Sequence, residues 1–437
     1  MLGPQKIQIL GYAILAASGR MIGAQQTRNL ASTGPPAPSG HSMIGAQHFT
    51  IRRRSSRMQN FAVIGIWAAV LLAVVIRIGL FSHSHDVFQT YVEAGRKWTA
   101  AQPLYTYTRG FVYSPLVAAF FALFSWFPVS LGSVLWRLLT AAIFIWAIFW
   151  WLKAEINRRI PESSYWLVFL LTLPLSLGNF NNGQVNPMII GLLMIAIVAA
   201  HEKRWTLSAV ALGFSTYLKI YPLSVGLLLV LLYPRQLGWR LVLTLVLMGA
   251  LSFILQRPAY VLEQYQRWFH TRASDDRRLN MDIAPRDFAM LLRLLHIHLS
   301  ASAVLLLQML AGAGAATICV AGRLLKWSEQ RLLICVFNLG TCWMLLFGPA
   351  TEDATYAMIA PPLAFALVQA FHQNTAWWMR ALVCASFAFL LLGLILNAFF
   401  GLKKTPTLMS VQPFGALLFA VYSVLWVFRS SLWEEES

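Results

Sequence analysis

Apolar runs of about 20 residues recur along this chain between residues 61 and 429, and they constrain its fold more than any other feature. A helix of roughly 20 residues crosses the hydrocarbon core of a bilayer, where the backbone must satisfy its own hydrogen bonds. Charged residues make up only 11% of the 437 positions. A soluble domain carries roughly 25%, so this chain cannot cover a water-facing globule. The sequence predicts an all-α polytopic bundle with roughly 10–12 transmembrane spans.

The formal net charge of +18 raises the question of nucleic-acid binding. In membrane proteins Lys and Arg collect in cytoplasmic loops, and no basic stripe with interleaved aromatic residues lies on a soluble segment. The four cysteines lie in apolar runs without CxxC spacing, and His83 and His85 have no third metal ligand nearby. We therefore predict the lipid bilayer as a partner, with no nucleic acid, no metal and no cofactor.

Residues 1–57 differ in composition from the rest of the chain. They are rich in Gly, Ser, Pro and Gln, and a basic run at 51–57 directly precedes the first apolar span. Because basic residues resist translocation, this run holds the N-terminus inside. We predict a disordered cytoplasmic extension over 1–57 and a transmembrane domain over 58–437.

Two polar segments are predicted on the outer side of the membrane. The first outer loop, residues 82–112, contains apolar positions at helical spacing after Asp86, which is typical of an amphipathic helix lying along the membrane surface. The second is the long outer loop, residues 256–300. Residues 112–160 allow two crossings or one crossing plus a re-entrant piece, and the positive-inside rule favours the second.

Several polar residues fall on this outer face. Asp86 follows the first span, where its carboxylate would meet a lipid headgroup; the alternative is an ordinary helix N-cap worth about 1 kcal/mol. Lys219, at a break between apolar helices, and Arg267 and Arg286 of the long outer loop are candidate phosphate ligands. Contact with bulk lipid phosphates is the alternative for these cations.

Amide and carboxylate side chains complete the set of candidates. Asn182 and Gln184, at the mouth of a helix, suit the hydroxyls of a sugar, and a turn followed by a cap is the alternative. Glu352 and Asp353 form a carboxylate pair at the end of a span. This pair would bind a cation or a sugar, or it is simply a solvated helix terminus.

Three motifs, in this order along the chain, resemble those of glycosyltransferase family 87. The first extends over 86–95, 102–105 and 111–116, the second is Asn182-Gly183-Gln184-Val185-Asn186, and the third is Tyr217-Leu218-Lys219-Ile220-Tyr221-Pro222. The resemblance implies a GT-C type bundle. It also implies transfer of mannose from a polyprenyl-phosphate donor to a glycan or glycolipid on the outer side of the plasma membrane.

The resemblance also assigns roles to residues. Asp86 falls on the position of the general base, and Lys219 falls in the lysine-proline motif near the lipid phosphate. Tyr105 and Tyr113 belong to the first motif and are predicted to bind substrate. The implied reaction inverts the anomeric carbon and requires no metal.

The chain departs from the family pattern in two places. It has Asn280-Met281-Asp282 where members often have Asn-Gln-Ser, and Thr351-Glu352-Asp353-Ala354-Thr355 where they often have Ser-Trp-Asp-His-His. The acceptor and the sugar therefore stay open.

Two other functions also stay open. One is a transporter or lipid flippase, which the broken helices at Pro128 and Pro222 favour. Carboxylates that cluster on one face and the lack of an inverted repeat argue against it. The other is a non-catalytic scaffold.

Overall fold

The computed structural model describes residues 43–80, 86–105, 110–154, 156–157, 160–273, 277–373, 375–400 and 404–429. Over these residues the protein is built from sixteen α-helices and contains no strand, which confirms the prediction of an all-α polytopic bundle. In chain order the helices are α1 (Met43–Leu80), α2 (Val87–Thr99), α3 (Pro115–Ala122), α4 (Val129–Lys153), α5 (Tyr165–Asn181), α6 (Asn186–His201), α7 (Trp205–Leu218), α8 (Leu223–Leu232), α9 (Trp239–Leu255), α10 (Pro258–Ala273), α11 (Phe288–Leu294), α12 (Ala301–Leu324), α13 (Glu329–Leu346), α14 (Ala360–His372), α15 (Trp377–Phe400) and α16 (Pro406–Phe428).

Eight helical segments in the described part of the chain are long and apolar enough to cross a membrane, and three shorter apolar segments accompany them. The long segments that contain α9 and α12 bury only 17% of their most apolar stretch inside the protein. Large apolar side chains on these helices are exposed, as expected for surfaces that face lipid. The eight long segments alone are fewer than the ten to twelve spans that the sequence predicts.

The first helix begins at Met43, so residues 43–57 are helical and continuous with the first span. The disordered cytoplasmic extension over 1–57 stays a prediction. Residues 1–42, together with His83 and His85, lie outside the described residues.

Prolines divide two of the apolar runs. Pro128 separates the eight-residue α3 and its 3₁₀ turn from the 25-residue α4, so residues 112–153 form one long and one short helix. The alternative of one crossing plus a re-entrant piece stays a prediction. Pro222 follows an extended residue, Lys219, and separates α7 from α8, as predicted. Proline disfavours helical geometry in the residue before it, and Phe127 before Pro128 is extended. At the second break, Pro222 lacks the N–H that would bond to the Leu218 carbonyl and continue α7.

The predicted amphipathic helix in the first outer loop is α2. Its apolar face is fully buried at Phe88 and Tyr91, and the Tyr91 ring stacks on Phe121 at a centroid distance of 4.6 Å. Protein therefore covers this face, mainly α3 and the turn after it, whereas the sequence pattern alone suggested lipid.

The two outer loops pack against each other. Gln264 of α10 accepts a hydrogen bond from the Leu104 backbone N–H at 2.9 Å, and the Tyr260 hydroxyl donates to the Gln102 carbonyl at 2.8 Å. These contacts join segments about 160 residues apart in sequence. They form one side of the site described next.

Candidate functional site

A cavity of about 340 Å³ lies where the two outer loops meet the break between α7 and α8. Its lining combines an aromatic wall, a group of cationic side chains and one carboxylate. The lining residues are Val112, Tyr113, Ser114, Tyr217, Leu218, Lys219, Ile220, Tyr221, Trp268, Arg272, Arg277, Arg278, Pro285, Gln308, Pro349, Ala350 and Glu352.

Lys219 reaches the cavity because the chain is extended between α7 and α8. Its Nζ donates to Oδ1 of Asn186 at 2.9 Å. The Asn186 amide is itself fixed, since its Nδ2 donates to Asn179 and to the Ala354 carbonyl, both at 2.9 Å. Burial lowers the pKa of Lys219 to about 8, with Glu352 acting in the opposite direction and Arg277 adding to the decrease. The ammonium is thus pre-positioned by Asn186, while burial disfavours its charged form.

Glu352 is the only carboxylate among the described residues that line the cavity. Its Oε1 lies 3.1 Å from Nη1 of Arg277, and its side chain is 59% exposed whereas that of Arg277 is 15% exposed. Glu352 also begins a 3₁₀ helix, where its side chain and that of Thr355 form a capping box. Arg272 and Arg278 line the same cavity, so the described lining carries more positive than negative charge.

The aromatic wall is connected to the first outer loop. The hydroxyls of Tyr113 and Tyr91 lie 2.9 Å apart, and the Tyr105 hydroxyl donates to the Tyr113 carbonyl at 2.6 Å. Burial raises the pKa of Tyr113 well above its usual value, so its hydroxyl stays protonated. Of the two predicted tyrosines, Tyr113 faces the cavity and Tyr105 supports it from behind.

Asp86 occupies a different environment from the one predicted. It is the N-cap of α2, accepting from the Phe88 backbone N–H at 2.9 Å, and it also accepts from the Ser133 hydroxyl at 3.0 Å. Its Oδ1 lies 3.0 Å from Nη2 of Arg137, and both side chains are nearly inaccessible to solvent. The N-cap interpretation is confirmed, and Asp86 is not among the residues that line the cavity.

Asn182 and Gln184 form the turn between α5 and α6. The Asn182 carbonyl accepts from the Val87 backbone N–H at 3.1 Å, which ties this turn to the start of α2. Gly183, between them, has a φ of +66°, the left-handed conformation that favours glycine. Neither amide side chain is part of the cavity lining, and Asn186 in the same motif makes the contact with Lys219 instead.

The other predicted ligands lie away from the cavity. Arg267 pairs with Glu263 at 2.7 Å on the exposed face of α10, beside Tyr105 in a separate open cleft. Arg286 is buried and donates to Asn397 at 2.7 Å, and Asn397 donates to Asp353 at 2.5 Å. Arg286 and Asp353 thus anchor α15 to the outer segments.

Sequence reasoning missed some residues of this site. Asn186 lies within the second motif, and its amide is the kind of group that holds a buried ammonium. The arginines of the long outer loop are all candidate phosphate ligands from sequence, and only the folding of the loop decides that Arg272 and Arg277 face the cavity instead of Arg267 and Arg286. Among the described residues, no group of three or more His, Cys, Asp or Glu is arranged to hold a metal ion.

Comparison with known proteins identifies a family. The model of glycosyltransferase family 87 matches residues 111–349, which is more than half of the chain. The matched range includes Lys219, Asn186 and Arg277, whereas Asp86 precedes it and Glu352 follows it. A search of curated proteins finds no match.

Proposed function

The chain belongs to glycosyltransferase family 87, and we propose that it transfers mannose from a polyprenyl-phosphate donor to a glycan or glycolipid acceptor. The family and the helical architecture together make it a multi-pass membrane glycosyltransferase. We further propose that the reaction takes place on the outer face of the plasma membrane, inverts the anomeric carbon and requires no metal ion.

The observation that carries this proposal is the cationic cavity around Lys219. Phosphate is the leaving group when a sugar departs from a lipid phosphate, and negative charge grows on it in the transition state. Preorganised cations at that position are an effective form of catalysis. Lys219, fixed by Asn186, and Arg277 are suited to this role.

The position of the cavity supports a lipid-borne donor. Gln308 of α12 lines the cavity, and the neighbouring residues Leu305, Leu306 and Met309 expose more than half of their surface. An isoprenoid chain can therefore lie along a lipid-facing helix while its headgroup enters the polar cavity. A nucleotide-linked donor would not need this arrangement.

The reaction would be a single displacement. The acceptor hydroxyl oxygen attacks the anomeric carbon, the bond from that carbon to the phosphate oxygen breaks, and its electron pair leaves with the phosphate. The hydroxyl proton passes to a carboxylate acting as general base, which contributes roughly 10² to 10⁴-fold. Attack opposite the leaving group inverts the anomeric centre.

Two carboxylates are candidates for the base. The resemblance assigns the role to Asp86, and we keep it as the first proposal. Glu352 is the second candidate because it lines the cavity, whereas Asp86 is held by Arg137, Ser133 and the Phe88 backbone.

The test is mannose transfer from labelled polyprenyl-phosphate mannose by purified protein in detergent. We expect Asp86→Asn to lower kcat by about 10² to 10⁴-fold, measured on the folded fraction, and also to lower the Tm, because Arg137 stays buried without its carboxylate partner. Glu263→Gln, in an exposed ion pair outside the cavity, is the matched control. Normal transfer by Asp86→Asn, with the same loss in Glu352→Gln, would move the base role to Glu352.

The same assay separates the enzyme from a flippase. Transfer in detergent needs no second compartment and no gradient. If wild-type protein transfers no sugar in detergent but moves a lipid-linked headgroup across reconstituted vesicles, the transport alternative is correct.

A further inference from the structure

The carboxylate of Glu352 opposes the charge of the cavity that it lines. The other charged residues in the described lining are basic, namely Lys219, Arg272, Arg277 and Arg278. A site that only had to attract a lipid phosphate would gain nothing from an acidic group at this place. Glu352 therefore calls for an explanation beyond phosphate attraction.

The position of this carboxylate is set by its backbone and by an ion pair that is open to solvent on the Glu352 side. Its backbone begins a 3₁₀ helix closed by a capping box with Thr355, and its Oε1 lies 3.1 Å from the Arg277 guanidinium. The charge of Glu352 also reaches Lys219, whose pKa it raises against the effect of burial. A phosphate held between Lys219 and Arg277 would thus lie beside a negative charge.

Charge repulsion from Glu352 would distinguish ligands by their number of phosphates. A single phosphate can exchange for the carboxylate at Arg277, because the Glu352 side chain is 59% exposed and exposed ion pairs are weak. A second phosphate adds charge within the same cavity, next to the displaced carboxylate. Like charges placed side by side are a common means of rejecting a wrong ligand.

We infer that Glu352 is a specificity residue that restricts the site to lipid carriers with one phosphate and disfavours diphosphate carriers. This inference rests on the proposed function and deepens it by defining the headgroup. It does not depend on which carboxylate is the general base.

The test is a binding comparison without sugar transfer. Farnesyl phosphate and farnesyl diphosphate are titrated against the full-length protein in detergent, and the ratio of their dissociation constants is measured. We expect wild-type protein to prefer the monophosphate and Glu352→Gln to reduce this preference about tenfold, equivalent to about 1.4 kcal/mol. Glu263→Gln removes an exposed carboxylate outside the cavity and is expected to keep the wild-type ratio.

A second pair of ligands and a second variant extend the test. The ratio of the dissociation constants of inorganic phosphate and pyrophosphate should shift in the same direction in Glu352→Gln, because the effect acts on headgroup charge. A shift confined to the farnesyl compounds would overturn the inference. If Glu352→Gln does not fold, Glu352→Ser removes the charge and keeps an oxygen for the helix cap.

An unchanged ratio in a folded, uncharged variant means that Glu352 does not select ligands by their number of phosphates, and the inference is wrong. Failure of the proposed function gives a different result. In that case wild-type protein transfers no mannose, yet the ratio still falls in Glu352→Gln.

Discussion

Lys219 illustrates how a charged side chain is accommodated in an apolar run. A lysine in the middle of a membrane helix would cost several kcal/mol. Here the helix ends at Leu218, the chain becomes extended, and Asn186 accepts a hydrogen bond from the ammonium. The ammonium therefore faces a polar cavity instead of lipid.

The pH dependence of transfer follows from this environment. With its pKa lowered to about 8, Lys219 is charged below pH 8 and neutral above it. Because kcat/KM reports the free enzyme, we expect kcat/KM for the lipid donor to fall as the pH rises through about 8. Lys219→Arg keeps its charge at higher pH and should remove this decline, even if its maximum rate is lower.

A pH–rate profile of both proteins from pH 6 to about pH 10 checks this prediction. Tyr105→Phe, behind the cavity, serves as a control that leaves the ammonium in place. A wild-type profile that stays flat to pH 10, or an equal decline in Lys219→Arg, would contradict the assignment.

Among the elements, α2 packs closely against the backbone of α3. A Cβ added at Gly95 would lie 2.6 Å from the Phe121 carbonyl group and from the Ala122 nitrogen. These are backbone atoms at the end of α3, so they cannot give way as a flexible side chain would. Gly95 thus sets the distance between α2 and α3, and with it the position of Tyr91 behind Tyr113.

We expect Gly95→Ala to push α2 away from α3 and to destabilise the protein by roughly 1–3 kcal/mol. Transfer should also fall, because the Tyr91–Tyr113 hydrogen bond would be lost. The measurements are the apparent Tm in detergent and the rate of mannose transfer. Gly79→Ala on α1, where a Cβ meets no atom within 4 Å, is the matched control. Equal behaviour of the two variants would show that α2 is not held by this contact.

At the scale of the whole molecule, the outer loops form one polar assembly at the end of a helical bundle. The cavity is built from five separate regions of sequence, including 112–114, 217–221 and 349–352. The long apolar helices α9 and α12 expose their surfaces around it. This arrangement leads us to expect all of these regions on the same side of the membrane.

Cysteine labelling tests that expectation. His298→Cys in the long outer loop and Lys203→Cys in a basic loop at the other end replace exposed residues. In intact cells we expect a membrane-impermeant maleimide to label His298→Cys and to label Lys203→Cys only after permeabilisation. Wild-type protein measures the background from Cys384, which is exposed. The reverse pattern would place the active site on the inner side.

The sequence by itself determined the features that depend on local chemistry. Apolar run length predicted the helical bundle, the Pro128 and Pro222 breaks predicted short helices, and the break at Lys219 predicted a cation facing a polar space. These features are local because the helix length that spans a bilayer, the missing N–H of proline and the cost of burying a charge are the same in any fold.

Only the tertiary structure decided which polar residues meet. Asp86 pairs with Arg137 at a separation of 51 positions, and Arg277 pairs with Glu352 at 75. Such contacts depend on how distant helices pack, and a charge pattern along the chain does not encode that packing. The same reason explains why Arg286, equally basic, anchors α15 while Arg277 faces the cavity.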